Sequence, residues 1–184
     1  MNCVPGYSPS MTVRTLALGG IAWNTMIYVN DFPEPRPQSF FSKTAGAHAP
    51  GDKFAGVNHS PGKVGIEHGW VANQDGDATV NDGQWHHFVW TQQKDASGSS
   101  ERWTLYVDGV KDHTNTTYAN TYPDSQIADS TFRIGFNPGG YFGNFWKGLI
   151  DELYIYDRTL STTEAAAKRS APASDRSCRF EPAE

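Results

Sequence analysis

Apolar and polar residues alternate along this chain in short runs, and most runs are closed by glycine, proline, asparagine or aspartate. "TVRTLAL" (12–18) alternates and stops at Gly19-Gly20. "IAWNTMIYVN" (21–30) is longer and is closed by the proline-rich "DFPEPRPQ", which cannot continue a sheet. "SFFSK" and "KFAGVN" flank the small-residue loop "TAGAHAPGD"; "KVGIEHGWVA" then leads into "NQDGDATVNDG", which reads as a polar loop. "QWHHFVWTQQ" (84–93), "STFRIGF" (130–136) and "FWKGLIDELYIY" (145–156) complete the series, the last two separated by the glycine-rich "NPGGYFGN". A period of two with turn residues between runs marks strands, and about twelve are expected here. In "RWTLYVDGVKD" (102–112), Asp108-Gly109 stands between two alternating runs and tolerates the positive φ of a type I′ hairpin turn. A single segment reads as helix. "STTEAAAKRS" places Ser161 and Glu164 at capping-box spacing ahead of three alanines. Many short strands and one terminal helix predict an all-β, antiparallel two-sheet β-sandwich with a short C-terminal helix.

Two strands carry side chains that alternation makes informative. In "GLIDELYIY" strict alternation puts Leu149, Asp151, Leu153 and Ile155 on one face, and Ile150, Glu152, Tyr154 and Tyr156 on the other. Asp151 then shares a face with three aliphatics. A desolvated carboxylate is costly unless it is paired, hydrogen-bonded or bound to a metal. In "QWHHFVW", Trp85, His87 and Val89 face one way and His86, Phe88 and Trp90 the other. Both tryptophans are expected in the core, and the adjacent histidines point apart and cannot share one metal ion.

Composition narrows the picture. A chain of 184 residues is long enough for one domain with a real core. The 13% aromatic content, with 18 glycines and 11 prolines, fits strands and turns better than a helical bundle. The formal net charge is −5 and no basic run exceeds the pair Lys168-Arg169. Neutralising a phosphate backbone needs several cations on one face, so nucleic acid is not an expected partner. No segment approaches the roughly 20 apolar residues of a membrane span. "MNCVPGYSPSMTVRTLALGG" lacks the basic start and continuous apolar region of a signal peptide, which suggests a removed signal or an excised piece of something longer. The two cysteines, Cys3 and Cys178, lie near opposite ends. They are either free thiols or, if the first and last strands are neighbours, a bridge worth at most about 5 kcal/mol by the chain-entropy model. The sequons at Asn58 and Asn115 are compatible with a secreted protein.

The segments "NDGQWHHFVWT" (81–91), "WTLYVDGV" (103–110), "FRIGF" (132–136) and "FWKGLIDELYIYDRTLSTTE" (145–164), with "FFSK" (40–43) upstream, resemble the laminin-G-like, concanavalin-A-type jelly roll in order and spacing. The chain accordingly reads as one domain, 1–184, best matched over 21–164, with 165–184 a C-terminal tail. The resemblance implies two curved antiparallel sheets, an extracellular setting, often a calcium ion, and binding more often than chemistry. In similar jelly rolls an acid placed like Asp151 often ligates calcium, which takes six to eight oxygens. A structural hydrogen bond, or an ion pair with Arg14 or Arg133, would also account for Asp151. Asn73, Asp75 and Asp77 alternate like the start of a second calcium loop, but without the glycine and bidentate glutamate of an EF-hand.

Polysaccharide hydrolases of this fold resemble one another in a strand bearing E-x-D-x-x-E, which sets acid and nucleophile on one face. None of Glu34, Glu67, Glu101, Glu152 and Glu164 has an acid two positions on. No G-x-S-x-G or H-E-x-x-H occurs either. A lectin-like carbohydrate-binding module is the leading expectation, with Trp70, Tyr141, Phe142 and Trp146 as candidate sugar-stacking residues. A protein-contact module of an extracellular assembly is the alternative, and a glycan-active enzyme of unfamiliar design the third. The expected partner is therefore a glycan or an extracellular protein.

Overall fold

A computed structural model describes residues 20–29, 38–44, 52–57, 61–69, 72–97, 99–113, 117–119, 130–138 and 145–169. Eleven strands and one helix occur among them. The strands are β1 (Gly20–Val29), β2 (Gln38–Thr44), β3 (Lys53–Val57), β4 (Lys63–His68), β5 (Ala72–Thr79), β6 (Trp85–Lys94), β7 (Ser100–Val107), β8 (Val110–His113), β9 (Thr117–Ala119), β10 (Thr131–Ile134) and β11 (Gly148–Tyr156). The helix α1 spans Thr162–Arg169. One antiparallel sheet runs β11-β1-β6-β7-β8, with β9 also paired to β7; the other runs β10-β2-β3-β4-β5. The expected sandwich is present, and "TVRTLAL", Cys3, Cys178, Asn58 and Asn115 lie outside the described residues.

Aromatic rings fill the space between the sheets. Trp23 of β1 stacks on Trp90 of β6 at 4.4 Å and on Phe41 of β2 at 5.7 Å, and Phe41 continues to Phe132 of β10 at 5.8 Å. Trp103 meets Trp90 edge-on at 5.7 Å. Fully burying each ring contributes about 2–3 kcal/mol, and their stacking adds about 1 kcal/mol more. Phe40 and Phe41 are adjacent yet both buried, because the β2–β3 register slips between Ser39 and Phe41. Such a bulge lets neighbouring residues escape strict alternation.

At one end of the core the sheets are joined by a buried carboxylate. Glu101 of β7, 1% exposed, accepts from Trp103 Nε1 and meets His68 Nδ1 of β4, each at 2.6 Å, and accepts from Gln92 Nε2 at 2.5 Å. Burial alone would raise its pKa. The hydrogen bond and charge of His68, the charge of Lys53 on β3 and the Trp103 N–H outweigh burial and lower it. A charge so deep persists only with such partners.

Two local expectations hold in detail. Asp108 and Gly109 both have positive φ, 53° and 74°, and form the two-residue turn between β7 and β8. At α1, Ser161 N–H donates to Glu164 Oε2 at 2.8 Å and Glu164 N–H donates back to Ser161 Oγ at 3.2 Å. Two others are corrected. "NQDGDATVNDG" is not all loop: Ala72–Thr79 pairs with β4. Polar side chains suit an edge strand whose backbone is satisfied. Here Asp112 supplies acceptors for the N–H groups of Asp77 and Ala78 at 2.9 and 2.8 Å. The short β9 also carries no clear sequence signal.

Glu101→Ala would leave the His68, Gln92 and Trp103 donors buried without their acceptor. The expected cost is about 3–5 kcal/mol in urea denaturation, with Glu101→Gln milder because an amide oxygen still accepts.

Candidate functional site

The last strand decides which side chains reach the surface of the β11-β1-β6-β7-β8 sheet. In β11, Tyr154 pairs with Asn24 and Asp151 with Met26, so two residues, Glu152 and Leu153, oppose Thr25 alone. Glu152 takes the left-handed conformation at φ 51° that this extra residue requires. The bulge is held by neighbouring side chains. Thr25 Oγ1 donates to the Asp151 carbonyl at 2.9 Å, Asn24 Nδ2 to the Glu152 carbonyl at 3.4 Å, and Glu152 N–H to Asp151 Oδ1 at 2.9 Å. Alternation therefore changes phase within the strand. Ile150, Leu153 and Ile155 pack on the core, while Leu149 is 57% exposed. Strict alternation predicted Asp151 on the face of Leu153 and Ile155; the bulge instead puts it on the outer face with Leu149, where it is half-buried.

The outer face is read directly from register. Leu149, Tyr28 and Trp85 stand side by side on β11, β1 and β6; the next row is Asp151, Met26 and His87. With strands about 4.8 Å apart, the first row spans roughly 10 Å. Gly148 makes this possible, because a Cβ there would lie 2.1 Å from the Tyr28 carbonyl. Tyr28 and Trp85 have ring centroids 5.6 Å apart, tilted by 55°. Trp85 is 36% exposed, so the expectation of a core position fails for it and holds for Trp90, which is fully buried. Farther along the same face, Ala22, Val89 and Tyr106 are covered by Leu160 and Ala165, with Tyr156 packed alongside. Among the described residues, the helix α1 thus caps one half of the face and leaves the Leu149–Tyr28–Trp85 half open.

Two adjacent histidines brace this open half. His86 lies between two carboxylates, with Nδ1 2.8 Å from Asp108 Oδ2 and Nε2 2.9 Å from Asp82 Oδ1. It ties the loop before Trp85 to the β7–β8 turn. Burial alone would lower its pKa, but the hydrogen bonds and charges of Asp82 and Asp108 raise it. His87, 1% exposed, donates from Nε2 to Asn24 Oδ1 at 2.6 Å, which leaves its buried Nδ1 without a partner among the described residues. Burial pushes His87 down to about 4; the charge of Asp108 opposes this and that of Arg169 adds to it.

Of the residues singled out in the sequence, Trp70, Tyr141 and Phe142 lie outside the described residues. Trp146 is half-buried, packs edge-on against Phe40 at 5.5 Å and anchors the approach to β11. Arg133 belongs to the opposite sheet, where it donates to the carbonyls of Thr44 and Thr131 at 3.4 and 3.3 Å. Asp151 shares its face with Tyr28 and Trp85, which the sequence reading did not nominate. Their signal was present in "MIYV" and "QWHH", where each aromatic occupies the phase opposite to the core residues beside it. No group of three or more His, Cys, Asp or Glu suited to a metal ion occurs among the described residues. Asp151 offers one carboxylate oxygen beyond the one held by Glu152 N–H, so most of calcium's six to eight oxygens would have to come from elsewhere.

Comparison with known proteins agrees with this architecture. The Laminin_G_3 family model, described as the concanavalin A-like lectin/glucanases superfamily, matches residues 14–166, and the chain belongs to that family. No curated protein matches it in sequence. Among solved structures it is similar to the CBM40 of the Ruminococcus gnavus IT-sialidase bound to α2,3-sialyllactose. The TM-score is 0.55 at 17% identity, covering 83% of this chain and 82% of the other. Domain 4 of AbnA, an extracellular arabinanase from Geobacillus stearothermophilus solved with arabinotriose, gives 0.53 at 20% identity over 83% and 68%. Domains LG4-5 of the mouse laminin α1 chain give 0.52 at 14% identity over 78% and 37%. At these identities the likeness establishes the fold.

The two histidines should titrate in opposite directions. His86 is expected to keep its proton above its ordinary 6.5, so its contribution is complete below pH 6.5 and fades as pH rises through the folded value. His87 is expected to stay neutral down to about 4; the unfolded chain takes up a proton from 6.5 downward that the folded ring refuses. Stability should therefore fall by roughly 3 kcal/mol between these two pH values on account of His87. Imidazole nitrogen chemical shifts followed by NMR distinguish the pair.

Proposed function

We propose that this chain is a non-catalytic, lectin-like carbohydrate-binding module that works outside the cell, and that the open half of its outer sheet face receives the sugar. The observation that carries the reading is the Leu149–Tyr28–Trp85 row, beside the Asp151 carboxylate, left uncovered by a helix that seals the rest of the face. A pyranose ring has an apolar C–H face and a rim of hydroxyls. An exposed indole offers an apolar ring face, the phenol tilted beside it a polar edge, and Asp151 an acceptor for hydroxyl protons. The platform is rigid because its side chains stand on paired strands, and rigid aromatics lose little entropy on binding.

Family membership and the fold shared with sugar-bound modules support a binding role. So does the absence from the sequence of the E-x-D-x-x-E strand of the hydrolases. Among the described residues no helix is long and apolar enough to cross a membrane. Asp151 is read as a direct partner of sugar hydroxyls, with no step assigned to calcium.

Trp85→Ala should weaken glycan binding at least about 30-fold, the loss of a binding hot spot of roughly 2 kcal/mol. Its melting temperature should stay within a few degrees of the parent, because Trp85 is outside the core. Phe145→Ala removes a 70% exposed ring elsewhere and serves as the comparison. Calorimetric titration with a glycan found on an array is the measurement, and unchanged affinity in Trp85→Ala would exclude this face.

A further inference from the structure

We infer that the open face selects neutral saccharides and rejects sialylated or otherwise anionic ones, an inference that rests on the carbohydrate reading above and names the ligand class of the same face. The two rows of this face, Leu149–Tyr28–Trp85 and Asp151–Met26 with the buried His87 at its end, contain one formal charge, the carboxylate of Asp151. One of its oxygens is held by the Glu152 N–H at 2.9 Å, which orients the group on the bulge and leaves the second oxygen to accept from a ligand hydroxyl. A hydroxyl donating to a carboxylate makes a stronger hydrogen bond than one donating to a neutral acceptor. A second carboxylate, Asp82, with its side chain 48% exposed, lies in the loop leading to Trp85, where its bond to the His86 imidazole partly offsets its charge.

None of the described lysines and arginines belongs to either row. Lys147, exposed, lies two residues before Leu149, Lys111 lies on β8 beyond the helix-covered strands, and Arg133 belongs to the opposite sheet. Arg169 at the end of α1 contributes charge at His87, where Asp108 acts more strongly and with opposite sign, and Lys168 Nζ lies 5.5 Å over the ring of Tyr156 on the helix-covered half. An anionic sugar on this face would meet Asp151 with no cation in either row to compensate, and like charges brought together and partly desolvated repel. The aromatic row has no such preference, since it stacks on either kind of ring. Aromatic contact thus supplies affinity, and Asp151 supplies the choice. This would set the chain apart from the similarly folded R. gnavus module, which was solved with sialyllactose.

The test uses the full chain on an array that pairs neutral glycans with their sialylated counterparts, lactose and α2,3-sialyllactose included. Titrations of the best pair follow, in the parent, in Asp151→Asn and at two salt concentrations. Neutral glycans should bind at least about tenfold tighter than their sialylated partners. Asp151→Asn should shrink that ratio, chiefly by improving the sialylated member. In the unmutated protein, added salt should shrink it as well, which keeps the test independent of how the variant folds. Equal or tighter binding of the sialylated member would overturn the inference and leave carbohydrate binding standing. A tenfold preference insensitive to both salt and Asp151→Asn would also overturn it. Binding to no glycan at all would remove the carbohydrate reading, and this one with it.

Discussion

One extra residue opposite Thr25 sets the phase of β11, and the face proposed for binding follows from it. Without the bulge, Leu149 would share the inner phase with Leu153 and Ile155, Asp151 would be driven against the core, and Ile150 would be turned to water. With it, three aliphatics reach the core, while Leu149 and Asp151 emerge beside Tyr28 and Met26. A non-glycine residue in the left-handed region costs roughly 1–2 kcal/mol. Bonds from Thr25 and Asn24 to the carbonyls of Asp151 and Glu152, and from the Glu152 amide to Asp151, offset that cost. Asp151 thus has a structural role in holding the bulge and a free oxygen that serves the surface. The two uses do not compete, because they engage different atoms.

The sandwich beneath this surface is held in two ways. Stacked indole and phenyl rings fill its middle, where burial is non-directional and tolerates small shifts. The Glu101 cluster at one end is directional: the carboxylate reaches His68 on one sheet and Gln92 and Trp103 on the other. A buried carboxylate with specific donors penalises any alternative alignment that leaves it unpaired. Such a group fixes how the sheets sit on each other more than it adds to stability. The outer face inherits that alignment, because β1 and β6 lie at the centre of their sheet.

Elements with strong local signals were legible in the sequence. Asp108-Gly109, the Ser161 capping box and the opposed phases of His86 and His87 need only neighbouring residues to be read, and the structure places each as expected. What escaped depends on partners distant in the chain. Glu152 looks like any strand residue; its bulge is dictated by Asn24 and Thr25, more than a hundred positions earlier. Trp85 reads as a core residue because large aromatics usually bury themselves, and only the helix edge decides that Val89 is covered while Trp85 is not. The polar "NQDGDAT" became strand because β4 offered it an edge and Asp112 supplied acceptors for its amides, neither of which composition reveals.

The division of one sheet face into a sealed and an open half has a further consequence. His87 is buried on the boundary, neutral, and bonded to the same Asn24 that holds the bulge; His86, one residue away, faces inward between Asp82 and Asp108, which favour its protonated form. The strand that carries Trp85 is therefore anchored on both faces within two residues of the indole. The loop before it is fastened through Asp82, and the following turn through Asp108. Anchoring of this kind limits how far Trp85 can move relative to Tyr28. A sugar meeting the pair would find the stacking surface already formed, so little of the contact energy would go into ordering it. Protonating His87 would place a second donor hydrogen on Nδ1, for which none of the described residues offers an acceptor, weakening the anchor from below. Rigidity of the open face and resistance of the fold to acid consequently depend on the same buried imidazole.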